Sequence, residues 1–372
     1  MHDKRQIADP SKAVLTINLS AIAENFCDLS SRLAPNCQAG AVVKADAYGL
    51  GFEEVSRTLA KAGCRHFFVA DLEEGVALRR ILKKVDIFVF NGPERNTEAT
   101  FDEHALTPVL NTPDQVQSWV AFASLKGGCN AVIQVDTGMS RTGLDMAYLE
   151  QLVGGNEKLK SVALRFLMSH LACADEPEHP LNAQQLAKFS KARTLLGNPR
   201  GSLANSSGIF LGPEYHFDMV RTGGALYGIN PTKNTNNPMN SVVNLEAPIF
   251  QVRNIDSPVT IGYGASARID GPGKIATIAV GYANGYLRSL GNKGSAFIDG
   301  IRIPVVGRVS MDYITLDVSK APENKVRPGK MVELIGPHHG IDALAKEAGT
   351  IAYEILTGLG ARHTRVYRNG RI

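Results

Sequence analysis

GAVVKADAYGLG (residues 40–51) joins a near-continuous apolar run to a polar, glycine-rich segment through a single lysine, Lys44. Apolar residues at successive rather than alternate positions mark a strand buried on both faces, as parallel strands covered by helices are. Runs of the same kind recur as HFFVA (66–70), DIFVF (86–90), ALTPVL (105–110), AVIQVD (131–136), LRFLMSH (164–170), GSLANS (201–206) and FDMVR (217–221). Helical patterns lie between them. In TPDQVQSWVAFAS (112–124) Thr112 offers an N-cap hydroxyl and Pro113 suits the first helical position, and LNAQQLAKFSKARTLLG (181–197) ends at Gly197. Eight strands alternating with helices predict an α/β chain built on a (β/α)8 TIM-like barrel. An open doubly wound sheet is the alternative, and the lack of G-x-G-x-x-G after the first strand weighs against it.

Residues 230–245, NPTKNTNNPMNSVVNL, are rich in Asn and Pro without an apolar period, which predicts an interdomain connection. Beyond it IFQVRNI, KIATIAVGY, SAFIDGIRIPVVG, YITLDV and KMVELIG have the texture of short strands, with Asp299-Gly300 as a hairpin turn. The barrel is therefore expected to be followed by a mostly β C-terminal domain. IDALAKEAG (341–349) predicts an isolated helix shortly before the closing TRVYRNGRI.

The 372 residues, 44% of them hydrophobic, suffice for a barrel plus an appended domain. Forty Lys and Arg against 36 Asp and Glu give a net charge of only +4 with no basic run, so neither nucleic acid nor a membrane surface is an expected partner. The opening MHDKRQIADPSKA lacks an apolar core segment, and no run reaches the roughly 18 apolar residues of a membrane span; a cytoplasmic protein is expected. Five cysteines, Cys27, Cys37, Cys64, Cys129 and Cys173, are odd in number, widely spaced and without CxxC. They argue against a disulfide framework and a zinc site, and most are expected to be buried thiols. HExxH, GxxxxGK[ST] and GxSxG are absent, which disfavours metalloprotease, nucleotide-triphosphate and serine-hydrolase chemistry.

Barrel enzymes place their chemistry at the C-terminal ends of the strands. Lys44, Asp136, Arg141, His170, Asn205, Ser206 and Arg221 all occupy such ends and are predicted to converge on one mouth. An amine there can clamp phosphate, act as a general base or form a Schiff base. Its ordinary pKa of about 10.4 must first be lowered by burial or by cations such as Arg141 and Arg221. The plainer alternative is that Lys44 snorkels or pairs with Asp46, which an extended segment would put on the same side. RTGGALYG (221–228) offers Gly223 and Gly224 where barrels often bind phosphate, with Ser206 adjacent, although glycine pairs also occur as simple turns. Tyr48, Tyr263, Tyr282, Tyr286, Tyr313 and Tyr353 are either functional or ordinary core and interface aromatics.

VVKADAYGLG, VDTGMSRTGL (135–144), MSHLACAD (168–175), LANSSG, DMVRTGGALYGINP, IGYGAS, VGYANGY, VGRVSMDYITLDV and TIAYEILTGLG, in this order, closely resemble the bacterial alanine racemase family over nearly the whole chain. The resemblance implies a homodimeric pyridoxal 5'-phosphate enzyme that interconverts L- and D-alanine and supplies D-alanine for peptidoglycan. It assigns residues 20–242 to the barrel and 1–19, which contain VLTINL (14–19), together with 243–372 to the β domain. By motif, Lys44 holds the cofactor as an internal aldimine, and Tyr48, Ser206, Gly223, Gly224 and Tyr353 meet its phosphate. Arg221 faces the pyridine nitrogen with His170 behind it, and Arg141 contacts the cofactor and the substrate carboxylate. Tyr263, Met311 and Asp312 come from the other subunit, with Tyr282 also toward the substrate, and Lys44 and Tyr263 are the two catalytic bases. One position departs from the family: Gln134 stands where many members carry a carbamylated lysine that holds the following arginine. Either a bound anion such as chloride or a looser Arg141 is then expected. The alternatives within the resemblance are a basic amino acid decarboxylase or a racemase of serine or another amino acid; outside it, a cofactor-binding protein without turnover.

Overall fold

The computed structural model describes residues 12–154, 159–233 and 235–370; residues 1–11, 155–158, Asn234 and 371–372 of the predicted ranges lie outside the described residues. Strand β1 (Val14–Asn18) precedes eight parallel strands: β2 (Gln38–Val42), β3 (His66–Val69), β4 (Asp86–Val89), β5 (Thr107–Leu110), β6 (Cys129–Gln134), β7 (Val162–Met168), β8 (Gly201–Ser202) and β9 (Met219–Thr222). Their order is β8-β7-β6-β5-β4-β3-β2-β9, and a parallel bridge from Asn205 to Arg221 closes the ring. Each run named from the sequence overlaps one of these strands, with ends that differ by up to a few residues. Phe67, Phe68 and Val69 are all but fully buried, as are Ile87, Phe88 and Val89, so both faces of these strands are covered. At Gly40 a Cβ would come within 2.5 Å of the Phe68 ring, so only glycine lets β2 lie against that side chain.

Local signals hold where they are strong. The helix Pro113–Lys126 starts at Thr112, whose side chain accepts from the Gln115 N–H, and Gly127 ends it in a left-handed conformation. The helix Leu181–Leu195 stops two residues before Gly197, which has φ 79°.

The second domain is built around an eight-stranded sheet. Strands β10 (Val243–Ile255), β11 (Val259–Ile261), β12 (Ala267–Ile269), β13 (Gly273–Ile278), β14 (Ser295–Ile298), β15 (Ile301–Pro304), β16 (Ile314–Asp317), β17 (Met331–Ile335) and β18 (Thr364–Arg368) follow the barrel. The path β15-β14-β17-β10-β1-β18 is extended by β13 and β16, while β11 and β12 form a separate hairpin. β1 lies between β10, antiparallel, and β18, parallel, so residues 14–18 belong to this sheet and not to the barrel. Asp299 (φ 47°) and Gly300 (φ 81°) form the turn between β14 and β15, as Asp-Gly predicts.

Three expectations are corrected. The helix Ile341–Ala348 is not isolated, because a second helix, Ala352–Gly358, follows it. The interdomain connection expected over 230–245 ends earlier, because Val243, Asn244 and Leu245 already belong to β10; before it Met239 and Val242 are buried, and Asn25 bonds both N–H and C=O of Asn240. Of the five cysteines, all free, only Cys64 is buried; Cys27 is exposed and the others are half-buried.

Candidate active site

Lys44 does not end a strand. β2 stops at Val42, and Lys44 leads into a turn in which Ala45, Asp46, Ala47 and Tyr48 all take left-handed conformations, with φ of 52°, 55°, 53° and 57°. No glycine relieves it, and left-handed backbone costs roughly 1–2 kcal/mol per residue. Tertiary contacts impose it. Glu74 accepts from the Ala45 N–H (2.7 Å), and Asp46 Oδ1 accepts from the Phe52 N–H (2.8 Å). Gly49 lies so close to the helix Ala352–Gly358 that a Cβ would meet the Leu356 carbonyl at 2.5 Å. The alternative pairing of Lys44 with Asp46 does not form, because the segment is not extended and the carboxylate turns to Phe52 and to Arg365, 3.7 Å away. Lys44 is half-buried beside the Phe90 ring, its Nζ 5.7 Å from the ring centroid. Burial, then the Arg141 cation, pull its pKa below the ordinary lysine value, and Glu74 opposes them.

The mouth of the barrel encloses a cavity of about 860 Å³. Lys44, Tyr48, Arg141, His170, Ser206, Arg221, Gly223, Gly224 and Tyr353 all line it. At one end Ser206 Oγ accepts from the N–H of Gly223 (2.8 Å) and of Ala225 (3.4 Å). A Cβ on Gly223 would fall 2.7 Å from the Tyr48 hydroxyl, and one on Gly224 would fall 2.5 Å from the Tyr353 hydroxyl. Two phenols, a serine and glycine backbone thus converge where no side chain fits between them. Burial raises the pKa of both phenols, so at neutral pH they remain O–H donors. Donor hydroxyls gathered over bare backbone suit a small anion such as a phosphate monoester.

Arg221, 3% exposed, crosses the cavity floor. Nη1 donates to Ser202 O (2.8 Å) and Oγ (2.6 Å), and Nη2 to Ser169 O (2.5 Å), Leu203 O (3.1 Å) and His170 Nδ1 (3.4 Å). These acceptors fix the guanidinium plane. Burial, reinforced by Arg221, Arg141 and Lys44, drives His170 down to about 3, so the imidazole is neutral. Its Nδ1 is the acceptor for Arg221, which puts the ring proton on Nε2.

Gln134, 8% exposed, donates from Nε2 to Thr142 Oγ1 (2.6 Å) and Thr142 O (3.2 Å). Its amide thus holds the turn through the residue after Arg141, a contact the sequence did not announce. Tyr263 (70% exposed), Tyr282 and Met311 lie on the open surface of the β domain, away from this chain's cavity, and Asp312 there pairs with Arg362 at 2.8 Å. Phe250, Tyr313 and Ile351 are exposed as well. Cavity residues to which the sequence assigned no role include Phe90, Asn111 and Gln115, together with Glu354 and Thr357 of TIAYEILTGLG.

Comparison with known proteins adds the following. The family model described as "Alanine racemase, N-terminal domain" matches residues 17–231, and "Alanine racemase, C-terminal domain" matches 242–367. A Rhodospirillum rubrum protein named alanine racemase is 48% identical, with 96% of each chain covered. An Agrobacterium fabrum protein named alanine racemase, catabolic, is 47% identical over 98% of this chain and 94% of its own. Among solved structures, alanine racemase from Bartonella henselae with covalently bound pyridoxal phosphate superposes with a TM-score of 0.93 at 39% identity, covering 96% of this chain and 100% of that one. The biosynthetic alanine racemase of Pseudomonas aeruginosa gives 0.89 at 35% identity, covering 96% and 99%.

Proposed function

The chain belongs to the alanine racemase family, and on that premise we propose that it interconverts L- and D-alanine with pyridoxal 5'-phosphate, Lys44 and Tyr263 of a second copy being the two proton-transfer groups. One observation carries this reading: a half-buried amine of lowered pKa shares a cavity with an anion cradle of Tyr48, Ser206, Gly223, Gly224 and Tyr353. When bound, pyridoxal phosphate supplies an electron sink that acidifies the α-carbon of an amino acid.

The residues fit that group. Lys44 Nζ is the covalent attachment point, and the two phenols, Ser206 and the glycine backbone hold the phosphate. Arg221 faces the ring nitrogen. With five acceptors on its two terminal nitrogens it remains a cation and gives up no proton, so it keeps that nitrogen unprotonated and the electron sink modest. Neutral His170 holds Arg221 without adding charge. Arg141 receives the substrate carboxylate. Racemisation takes a proton from one face of the α-carbon and returns one to the other, so two groups must flank it. Lys44 serves one face.

The second group comes from another chain in this proposal. Tyr263, with Met311, Asp312 and Tyr282, lies on a surface where Phe250 and Tyr313 are also exposed, a concentration of aromatic and Met side chains suited to burial between copies. In the homodimer this surface closes the partner's cavity and completes its substrate pocket. We place the protein in the cytoplasm, supplying D-alanine for peptidoglycan; no helix among the described residues is long and apolar enough to cross a membrane.

Two inactive variants test the arrangement together. Lys44→Ala should lose both the bound-cofactor absorption and the formation of D-alanine from L-alanine, and Tyr263→Phe should lose the racemisation. A mixed dimer holds one site with Lys44 and Tyr263 both intact, so equal mixing should restore about a quarter of wild-type sites. Restoration absent from a mixture proven to contain mixed dimers rejects the shared site, and no D-alanine from the parent protein rejects the activity.

A further inference from the structure

Glu74 stands outside every motif that pointed to the site, yet it meets the backbone beside Lys44 directly. It sits in the first turn of the helix Leu72–Ile81, after the Asp71 N-cap. A glutamate at this position ordinarily reaches back to its own helix cap. Here Oε2 accepts from the Ala70 N–H (2.7 Å), at the C-terminal end of β3, and Oε1 crosses to β2 to accept from the Ala45 N–H (2.7 Å). One carboxylate thus ties together two neighbouring strand ends in the barrel mouth. The second of those ends is the first residue of the left-handed turn that follows Lys44.

That turn has no glycine and no intrinsic preference for its conformation, so the direction of Lys44 depends on what grips it. The far side is held by Asp46 with Phe52, and by the close approach of Gly49 to Leu356. On the near side, next to the lysine, Glu74 is the anchor. We propose that Glu74 is a positioning residue for Lys44: its carboxylate fixes the turn that aims the amine into the cavity and balances the cations around that amine.

Charged and titratable groups reach the cavity around Lys44 from several elements, among them Tyr48, Arg221, Tyr353 and Glu354. Arg141 follows β6, His170 follows β7, and Glu74 lies on the helix after β3. His170 is neutral, and of the charged groups Arg141 and Glu74 act on the amine in opposite directions, the cation lowering its pKa and the carboxylate raising it. Without its charge, burial and Arg141 act on the amine unopposed.

This inference rests on Lys44 being the working lysine of the proposed racemase, and its test separates the two. Glu74→Gln keeps the side-chain volume but removes the charge and one acceptor. In the full-length chain freed of cofactor, reductive methylation of Lys44 followed across pH by mass spectrometry should show a reactivity midpoint lower by roughly 0.5 to 1 unit. In the cofactor-loaded enzyme, kcat should fall roughly tenfold or more, with a smaller change in KM for alanine. Glu74→Asp, which keeps the charge but not the reach, should hold the midpoint near the parent value while still losing kcat. Circular dichroism verifies folding, and if Glu74→Gln fails to fold, the Glu74→Asp pair of readings decides. A midpoint or a kcat unchanged in Glu74→Gln, or a midpoint lowered in Glu74→Asp, overturns the proposal, whereas a parent enzyme that makes no D-alanine overturns the racemase reading instead.

Discussion

Adding one methyl group to either glycine of the anion cradle should weaken cofactor binding, and the two positions should divide the damage differently. At Gly223 the new Cβ would lie 2.7 Å from Tyr48 Oη, well inside the 3.4 Å at which ordinary contact begins. Tyr48 cannot yield: it is 9% exposed, and its ring centroid lies 4.7 Å from that of Tyr227 and 5.9 Å from that of Tyr353. The backbone must move instead, pulling the Gly223 N–H off Ser206. Overpacking of this kind costs about 1–3 kcal/mol of stability. At Gly224 the overlap is with Tyr353 Oη at 2.5 Å, but that ring is 37% exposed in the single chain and can swing away, so stability should change by less than about 1 kcal/mol. Each variant then misplaces one donor to a dianion, the Gly223–Ser206 pair in the first and the Tyr353 hydroxyl in the second. A charge-assisted hydrogen bond of about 1.5–3 kcal/mol then translates into a Kd raised roughly 10- to 150-fold. Titrating cofactor-free protein with pyridoxal phosphate by absorbance, alongside urea unfolding of the same samples, reads both quantities. Parent-like Kd values in the two variants would refute the assignment of this corner to the phosphate. Equal stability losses would refute the argument about which tyrosine can move.

Other expectations follow from the same geometry. His170 is neutral down to about pH 3 in the folded chain, whereas an unfolded histidine takes its proton near 6.5. The unfolded state therefore binds the extra proton between these values, and this group's contribution to stability is complete above about 6.5 and falls on acidification. Between pH 7 and pH 5 the loss is about 2 kcal/mol, so His170→Gln should flatten the pH dependence of the unfolding free energy from urea melts by that amount; an identical slope in the variant excludes it. Arg221→Glu lets the pyridine nitrogen acquire a proton and strengthens the electron sink, so transamination per racemisation should rise, and a ratio equal to the parent's counts against the role given to Arg221. Gln134→Ala removes the two bonds to Thr142, about 1 kcal/mol each, and should raise KM for alanine roughly tenfold with less effect on kcat. If replacing chloride with gluconate raises KM in the parent, a bound anion also holds Arg141; an unchanged KM leaves that work to Gln134 and Thr142.

The barrel is legible because its strands are buried on both faces, a condition that writes itself into consecutive residues: Phe67, Phe68 and Val69 need no partner named to be recognised as interior. Thr112-Pro113 and Asp299-Gly300 are legible for a different reason, since the group that satisfies the backbone lies within a few residues. β1 is not legible locally. Its five residues are fixed by β10 and β18, more than 200 residues along the chain, and only the family resemblance put them in the second domain. The left-handed turn after Lys44 runs against local preference, because Ala45, Asp46, Ala47 and Tyr48 individually favour other conformations. What overrides them is Glu74 from the next barrel unit and Leu356 from the β domain.

The same distinction separates the legible part of the site from the rest. Lys44, Arg141, His170, Ser206 and Arg221 could be grouped because a barrel brings strand ends to one mouth whatever the side chains are. Their orientation is another matter, set by Ser169, Ser202 and Thr142, which carry no catalytic signature and touch the site through single hydrogen bonds or pairs of them. Tyr353 lines the cavity only because the helix Ala352–Gly358 packs on the turn that carries Lys44. The β domain therefore helps to shape the phosphate corner of its own chain, in addition to the surface it is proposed to offer a partner. A substitution on that helix that loosens its contact with Gly49 should disturb the direction of Lys44 and the Tyr353 hydroxyl together, coupling cofactor affinity to kcat at a position that touches neither.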